Sequence, residues 1–173
     1  MDELSQKNIL DSGKIIKISF EEILPYWKNE LWPSRTSAIE PYSAIDINGN
    51  IDINICEIAA PKFWAYKIDD KIVGVISCQN TDVNVFRLRG IWVDSHLRQK
   101  GIGKSLTDHL KNYVSTRQGP QTSDTLLLWT MSRESNVNFY QSCGFKKKHR
   151  LDKYEYGPHW IMEQKKIGRD DWI

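Results

Sequence analysis

The stretch Val93-Asp94-Ser95-His96-Leu97-Arg98-Gln99-Lys100-Gly101-Ile102-Gly103-Lys104-Ser105-Leu106 decides the fold of this chain. A run of β-forming residues ends at Val93, and an apolar pattern with helical spacing begins near Gly103. The first turn of a helix leaves backbone N–H groups unpaired, and the helix dipole favours a negative charge beside them. The stretch therefore predicts a strand-to-helix turn that binds an anion, and a diphosphate is its natural ligand.

The side chains of this turn agree with its backbone. Gly101 and Gly103 carry nothing that would block a close approach, and basic residues surround them. The residues that we predict to hold the diphosphate are Arg98, Gln99, Lys100, Gly101, Ile102, Gly103 and Lys104. The turn matches neither the P-loop pattern G-x-x-x-x-G-K-S/T nor the dinucleotide fingerprint G-x-G-x-x-G.

A second stretch, Phe139-Tyr140-Gln141-Ser142-Cys143-Gly144-Phe145, follows further along the chain. The pattern R/Q-x-x-G-x-G/A after a strand, together with F/L-Y-x-x-x-G-F, resembles motifs A and B of the GNAT superfamily of acyl-CoA N-acyltransferases. The resemblance covers roughly residues 60–165. It implies acetyl-CoA as the co-substrate, no metal, and transfer of an acetyl group to a primary amine, in the first place that of a small molecule.

Predicted strands and helices alternate through the middle of the chain, which places it in the mixed α/β (α+β) class. The resemblance narrows this to a largely antiparallel sheet of about six or seven strands, with a splayed central parallel pair and helices on both faces. Predicted strands cover residues 14–18, 63–68, 71–78, 85–93, 125–129 and 159–163, and another begins at Phe145. Predicted helices follow residue 19, begin near residue 103 and cover residues 134–142.

Local signals mark where several of these elements begin and end. Ser19 and Glu22 form the pattern of a capping box, and Pro25 either bends the first helix or marks its true start. Gly144 predicts the end of the last helix. The short alternation of isoleucines in residues 51–55 leaves strand and loop equally open.

Gly90 lies inside the predicted central strand, residues 85–93, and suggests a β-bulge. By the resemblance, a bulge there opens a slot beside the parallel neighbour. Backbone groups in such a slot pair with an extended amide chain as a further strand would, and pantetheine is such a chain. We expect Ile91, Trp92 and Val93 to supply these groups.

Tyr140 matches the tyrosine of the family that protonates the departing sulfur. A phenol suits this role because it keeps its proton at neutral pH. The position at which many relatives carry a CoA-binding asparagine holds Arg133, and Asn136 lies nearby but out of register. Arg133 either contacts a CoA phosphate or has no part in binding.

The acceptor site is less defined by the sequence. The resemblance makes Trp32, Arg35 and Tyr42 candidates for one wall, and Arg87 and Arg89 candidates for binding a carboxylate or phosphate of the acceptor. For Trp32, Arg35 and Tyr42 the alternative is packing or solvent exposure, and for Arg87 and Arg89 it is a salt bridge at the rim. Relatives often place a glutamate on the central strand as the general base, but residues 85–93 contain no carboxylate. The alternatives for the base are Glu57, Asp82, Asp94, His96 and Glu134, or an ordered water.

Length and composition indicate one domain over residues 1–173, with residues 1–13 and 166–173 expected to be loose. A formal net charge of +2 argues against nucleic acid as a partner, and no apolar run is long enough to cross a membrane. The 3 cysteines form neither a disulfide framework nor a metal pattern, which favours a cytoplasmic location. A homodimer is a further expectation.

Two other functions stay open at this level. One is a CoA-binding sensor or structural module without catalysis, which the missing strand carboxylate and Arg133 favour and Tyr140 opposes. The other is acetylation of a protein or aminoacyl-tRNA amine. The modest charge argues against tRNA, because phosphate binding normally needs clustered Lys and Arg.

Overall fold

The computed structural model describes residues 12–117 and 125–173. The strands are β1 (Lys14–Ile18), β2 (Lys62–Ile68), β3 (Lys71–Asp82), β4 (Val85–Val93), β5 (Thr125–Arg133), β6 (Lys146–Leu151) and β7 (His159–Ile167), and the α-helices are α1 (Phe20–Tyr26), α2 (Ile102–Ser115) and α3 (Val137–Ser142). The strands pair in the order β1-β2-β3-β4-β5-β7-β6. The pairs β1–β2, β5–β7 and β6–β7 are antiparallel, and β4–β5 is parallel. The predicted mixed, largely antiparallel sheet with one parallel pair is confirmed.

The chain divides into two compact units. Within the described residues, the first unit contains 12–41, 62–77 and 90–109, and the second contains 42–61, 78–89, 110–117 and 125–173. The expectation of one domain over the whole chain stays a prediction. No helix in the described residues is both long and apolar enough to span a membrane.

In the first unit, the capping box predicted at Ser19 starts α1. The Ser19 hydroxyl accepts from the N–H of Glu22 at 3.2 Å, and the Glu22 carboxylate accepts from the N–H of Ser19 at 3.1 Å. Pro25 lies inside the helix rather than at its start. After it the helix widens over Trp27–Leu31, where Trp32 N–H donates to Trp27 O, five residues back, at 2.8 Å. Proline lacks an N–H and crowds the carbonyl four residues back, which accounts for the change.

Trp27 anchors the core of the first unit. Its side chain is fully buried, and its Nε1 donates to Gly90 O at 2.9 Å. Gly90 has φ +67°, and a Cβ there would lie 2.3 Å from Trp27 Nε1. Only glycine fits this backbone and this close approach. This irregularity lies where the sequence predicts a bulge, whereas the splay of the parallel pair stays a prediction.

The β2–β3 hairpin turns at Asp69 and Asp70, whose φ angles of 48° and 63° are those of a two-residue turn that matches strand twist. Strand β3 continues to Asp82, beyond the predicted end at residue 78. The extension was missed because it carries buried polar residues. Gln79, for example, exchanges hydrogen bonds with the backbone of Ser43 at 2.9 and 2.8 Å.

Strands β5 and β7 are also longer than predicted, ending at Arg133 and Ile167. The expected loose tail after residue 165 is wrong, because Lys165 and Ile173 exchange backbone hydrogen bonds at 2.6 and 2.7 Å. The ambiguous isoleucines contribute to a short 3-10 helix at Ile53–Glu57. Residues 1–11 of the expected loose amino terminus lie outside the described residues.

The buried face of α2 consists of Ile102, Leu106, Leu110 and Val114. The last predicted helix begins as a 3-10 turn, Glu134–Asn136, and continues as α3. Gly144 ends it with φ +96°, and the N–H of Phe145 donates to Tyr140 O at 3.0 Å, as expected for a glycine C-cap.

Candidate active site

The strand-to-helix turn, residues 94–104, lies in the first unit. Asp94 organises its beginning: its N–H donates to Val73 O at 2.8 Å, and its carboxylate accepts from the N–H of His96 at 3.0 Å. Leu97 N–H closes the short 3-10 turn on Asp94 O at 2.9 Å. These bonds give Asp94 a structural part, which weakens it as a general base.

The backbone beyond this 3-10 turn faces open space. Gln99 and Gly101 have φ angles of 59° and 87°. A Cβ on Gly101 would meet no atom of the described chain within 4 Å. The first helical bond runs from Ser105 N–H to Gly101 O at 2.9 Å. The N–H groups of residues 101–104 therefore precede the first helical donor, as an anion site requires.

The cations of the strand-to-helix turn differ in what they contact. Lys104 forms a salt bridge with Asp108 at 3.1 Å, and Arg98 Nε donates to Val93 O at 3.1 Å. Both side chains are exposed, so an arriving diphosphate competes with weak partners. Ile102 is 2% exposed, so only its backbone can contact a ligand in this arrangement.

The end of β4 offers backbone rather than side chains. Trp92 is 9% exposed and packs against the ring of Tyr26 with centroids 5.0 Å apart. The Val93 carbonyl already accepts from Arg98. The contact of Ile91, Trp92 and Val93 with pantetheine stays a prediction.

Tyr140 lies in the second unit, on α3, and is 6% exposed. Its ring packs edge-on against Phe139 and Phe145 with centroids 5.2 and 5.6 Å apart. Burial raises the pKa of the phenol to about 12, although a hydrogen bond with the Thr130 side chain and the nearby Arg87 oppose the shift. The hydroxyl therefore keeps its proton at neutral pH, so in a proton transfer it can serve there as an acid but not as a base.

Arg87 also belongs to the second unit, its charge acts on the pKa of this tyrosine, and it is 6% exposed. Its guanidinium carbon lies 4.9 Å from the ring centre of Trp129, its register partner on β5. Its Nε and Nη1 are buried without a hydrogen-bond partner. Arg89, the other arginine predicted to bind the acceptor, is equally buried, so neither side chain lies at a solvent-exposed rim.

Arg133 and His159 are register partners on β5 and β7. The Arg133 guanidinium lies 4.7 Å from the ring centre of Tyr156. His159 is 7% exposed, and its Nδ1 lies 2.8 Å from Gly157 O. A carbonyl only accepts, so Nδ1 carries the proton and Nε2 keeps its lone pair. Burial lowers the pKa of His159, and the charges of Arg133 and Arg87 lower it further, against the opposing bond to Gly157.

His159 is the functional candidate that the sequence analysis missed. Its spacing marks it only as the first residue of a strand, and the Gly157 contact that sets its tautomer is visible only in the structure. The predicted bases are poorer candidates. Glu134 is exposed and forms a salt bridge with Arg150 at 3.6 Å, and the Asp82 carboxylate accepts from the next backbone N–H at 2.7 Å.

The three residues predicted to form one wall of the acceptor site do not all belong to the same unit. Trp32 and Arg35 line a cavity of about 500 Å³ in the first unit, formed around the end of α1 and the segment after it. The Arg35 guanidinium lies 5.6 Å from the ring centre of Trp32, and its Nε donates to Ser37 Oγ at 2.7 Å. Tyr42 belongs to the second unit and is 40% exposed.

The remaining predicted ligand residue, Asn136, is exposed and makes no side-chain capping bond to α3. The described part of the chain contains no group of three or more His, Cys, Asp or Glu placed to hold a metal ion. Metal-free chemistry stays a prediction.

Comparison with known proteins identifies the family. A model described as an acetyltransferase (GNAT) domain matches residues 59–147. N-acetylaspartate synthetase from Xenopus tropicalis is 32% identical over 85 residues, which cover 49% of this chain but only 30% of that protein. This chain therefore matches less than a third of that relative's length.

Solved structures agree in fold. Ard1 from Thermoplasma volcanium superimposes with a TM-score of 0.64 at 19% identity, over 92% of this chain and 99% of that one. Naa50 from Arabidopsis thaliana, in complex with the bisubstrate analogue CoA-Ac-MVNAL, gives 0.59 at 14% identity over 88% and 97%. The family model covers just over half of the sequence, and with this agreement in fold the chain belongs to the GNAT acetyltransferase family.

Proposed function

We propose that this protein transfers the acetyl group of acetyl-CoA to a primary amine of a small-molecule acceptor. The observation that carries the proposal is Tyr140, a buried phenol held protonated at the motif position that the family uses for sulfur protonation. The family membership supports it, and so does the open backbone of the strand-to-helix turn, which suits a diphosphate. A resident metal has no part in the proposed reaction.

The chemistry divides among a few groups. The strand-to-helix turn binds the diphosphate of acetyl-CoA through the N–H groups of residues 101–104. The free amine attacks the thioester carbonyl, the new C–N bond forms, and the C–S bond then breaks. Tyr140 gives its proton to the departing sulfur, which leaves as the thiol of CoA.

The attacking amine must also lose a proton, so the reaction needs a general base. Among the described residues, His159 is the best candidate for the base. The Nδ1–H of its neutral imidazole donates to Gly157 O, which leaves the lone pair of Nε2 to accept a proton. A lowered pKa keeps it neutral at physiological pH, so it is available to accept the proton. The protonated Tyr140 and neutral His159 can then serve as an acid and a base at the same pH.

The acceptor is expected to be small. The Xenopus relative is named for a product of aspartate, which favours an amino acid among small amines. The Arabidopsis structure carries a bisubstrate analogue with a peptide-like part, which keeps a protein amine as a competing acceptor. A cytoplasmic location, a homodimer and the absence of a nucleic-acid partner belong to the same proposal.

A non-catalytic CoA-binding module is the second candidate. The observation that favours it is β4, which carries Arg87 and Arg89 but no carboxylate where relatives often place a base. Thiol release from acetyl-CoA across a panel of amines separates the two. Tight binding of acetyl-CoA with no thiol release above hydrolysis, for any amine, would support the module and reject the enzyme.

A further inference from the structure

Arg87 is a buried cation without an anionic partner. It is 6% exposed, and its Nε and Nη1 have no hydrogen-bond partner. Within residues 12–117 and 125–173, no carboxylate forms a salt bridge with it. Burying an arginine in this way is costly, because a charge removed from water needs a counter-charge and bonds to its donors.

Stacking offsets only part of this cost. The Trp129 ring lies 4.9 Å from the guanidinium carbon and supports the guanidinium by a cation–π contact. This contact leaves the N–H groups of Nε and Nη1 unpaired. Arginine remains protonated at neutral pH even though burial lowers the pKa of Arg87 to about 10. Trp129 thus holds the charged guanidinium of Arg87 in place without accepting hydrogen bonds from it.

The titratable groups that influence Arg87 supply no negative charge. Tyr154 donates its hydroxyl proton to Gly49 O at 2.9 Å, and Tyr140 is held protonated by its burial. Arg133 and His159 lie close enough to affect the same cluster, and both are bases. An incoming anion therefore meets no repelling carboxylate among these neighbours.

We propose that Arg87 binds a carboxylate of the acceptor, so the acceptor is an amino acid or an amino dicarboxylate rather than a simple amine. The inference rests on the proposed function and deepens it. A planar guanidinium matches a planar carboxylate with two parallel hydrogen bonds. Arg87 and Tyr140 belong to the same unit, and the charge of Arg87 acts on Tyr140, so we expect the bound carboxylate to lie only a few bonds from the amine that is acetylated.

A phosphate is the less suitable anion. Phosphate sites normally assemble several donors or cations on three oxygens, whereas here one guanidinium carries the unpaired N–H groups. Lys104 and Arg98, the cations of the strand-to-helix turn, belong to the first unit, and the proposal assigns them to the CoA diphosphate. A phosphorylated amine is therefore an outcome that the test must be able to detect.

The test compares matched amines. Thiol release from acetyl-CoA is measured with aspartate, glutamate and alanine, with the diamides of aspartate and glutamate and with alaninamide, so that no carboxylate remains, and with ethylamine and phosphoethanolamine. The wild-type protein should prefer the acids to their carboxamides by at least about 30-fold in kcat/KM, the scale of a buried charge pair. Equal rates for acids and amides, or a preference for phosphoethanolamine, would overturn the carboxylate proposal and leave the acetyltransferase standing.

Variants then assign the preference to the residue. Arg87→Gln should raise the KM for the acid by about 30-fold or more, change the KM for acetyl-CoA less than about 2-fold, and remove the preference over the amide. Arg87→Lys keeps the charge but loses the fork, and should retain part of the preference. Arg169→Gln, an exposed arginine of the same unit, is the matched control and should behave as wild type. A preference that persists in Arg87→Gln would remove Arg87 from the site.

A binding measurement covers the case of no activity. Failure of every amine would reject the proposed enzyme, but the carboxylate site can still be tested with succinate as the probe. Succinate should raise the Tm of the wild-type and Arg169→Gln proteins and leave that of Arg87→Lys much less affected. If Arg87→Gln does not fold, the amine panel measured on the wild type and on Arg87→Lys decides whether Arg87 binds the carboxylate. No stabilisation of the wild type by succinate would reject the site itself.

Discussion

The strand-to-helix turn of the first unit and the Arg87 cluster of the second unit (Arg87, Trp129, Arg133, Tyr140 and His159) are built in opposite ways. The turn is exposed and acts through backbone N–H groups, with Gly101 opening space for a ligand. The cluster is largely buried and acts through side chains, and desolvation moves the pKa values of Arg87, Tyr140 and His159. A backbone site leaves a glycine pattern in the sequence, whereas a site built from side chains on several strands leaves no local pattern.

The largest expected effect tests the cluster at Tyr140. Tyr140→Phe keeps the ring and removes the hydroxyl, so turnover should fall by roughly 10²- to 10⁴-fold if the phenol is the acid. Acetyl-CoA affinity should change far less, because the proton moves only in the transition state. Single-turnover rates and calorimetry measure the two quantities.

Tyr113→Phe, on the half-buried face of α2, is the control for loss of a phenol and should keep its turnover. The free energy of unfolding of Tyr140→Phe should drop by only about 1 kcal/mol, since one neutral hydrogen bond is lost. Nearly unchanged turnover, with the chemical step shown to be rate-limiting, would leave Tyr140 as a packing residue.

The next effect tests the strand-to-helix turn. A glutamate at residue 103 stands in the first turn of α2, where negative charge favours the helix, so Gly103→Glu should fold. It should still weaken acetyl-CoA binding by about 10²-fold or more, through repulsion and loss of N–H donors. Calorimetry gives the affinity and circular dichroism the fold.

Asn112→Glu places the same charge on an exposed position further along α2 and should bind acetyl-CoA normally. Unchanged affinity in a well-folded Gly103→Glu protein would exclude the turn from the diphosphate site. Loss in both variants would indicate a general charge effect and weaken the contrast between the two regions.

Local rules carry most of what the sequence predicts correctly. The capping box at Ser19 and the glycine end at Gly144 each depend on a few adjacent residues. The wrong or incomplete predictions depend on distant partners. Strand β3 extends to a segment in which the Gln79 side chain forms a hydrogen bond with the backbone of Ser43. The residues after 165 are held by backbone hydrogen bonds between Lys165 and Ile173.

The same distinction applies to the site. Tyr140 was found because its motif is contiguous, and Arg87 because the pattern placed an arginine on the central strand. The isolation of Arg87 from any acid among the described residues, and the tautomer of His159, follow from neighbours on other strands and loops. No spacing rule encodes such neighbours, so only the structure could supply them.

The third effect tests whether the residues of the predicted acceptor wall contact the acceptor. If the cavity lined by Trp32 and Arg35, rather than the Arg87 cluster, receives the acceptor, Trp32→Ala and Arg35→Ala should each raise the acceptor KM by about 10-fold. The KM for acetyl-CoA should stay nearly constant. Tyr42→Ala, outside that lining, should show little effect on either constant. Equal changes for both substrates would mean that the cavity is part of the scaffold.

The smallest expected effect is the response of His159 to acid. Burial lowers the pKa of this histidine in the folded protein, whereas it titrates near 6.5 when unfolded. Below about pH 6.5 the unfolded chain therefore binds the proton first, and the free energy of unfolding falls until the folded pKa is passed. His159→Asn keeps a donor for Gly157 O and should lose less stability on acidification than the wild type.

His109 is the matched control, because burial also lowers its pKa and His109→Asn should flatten the stability profile in the same direction. The activity profile separates the two histidines. If His159 is the base, the acid limb of kcat/KM should lie below 6.5 in the wild type and in His109→Asn. His159→Asn should lose that limb along with most of its activity. A His159→Asn protein with full activity and an unchanged acid limb would exclude His159 as the general base and favour an ordered water in that role. Tyr140 as the acid and Arg87 as the carboxylate-binding residue would then be the remaining functional groups of the cluster.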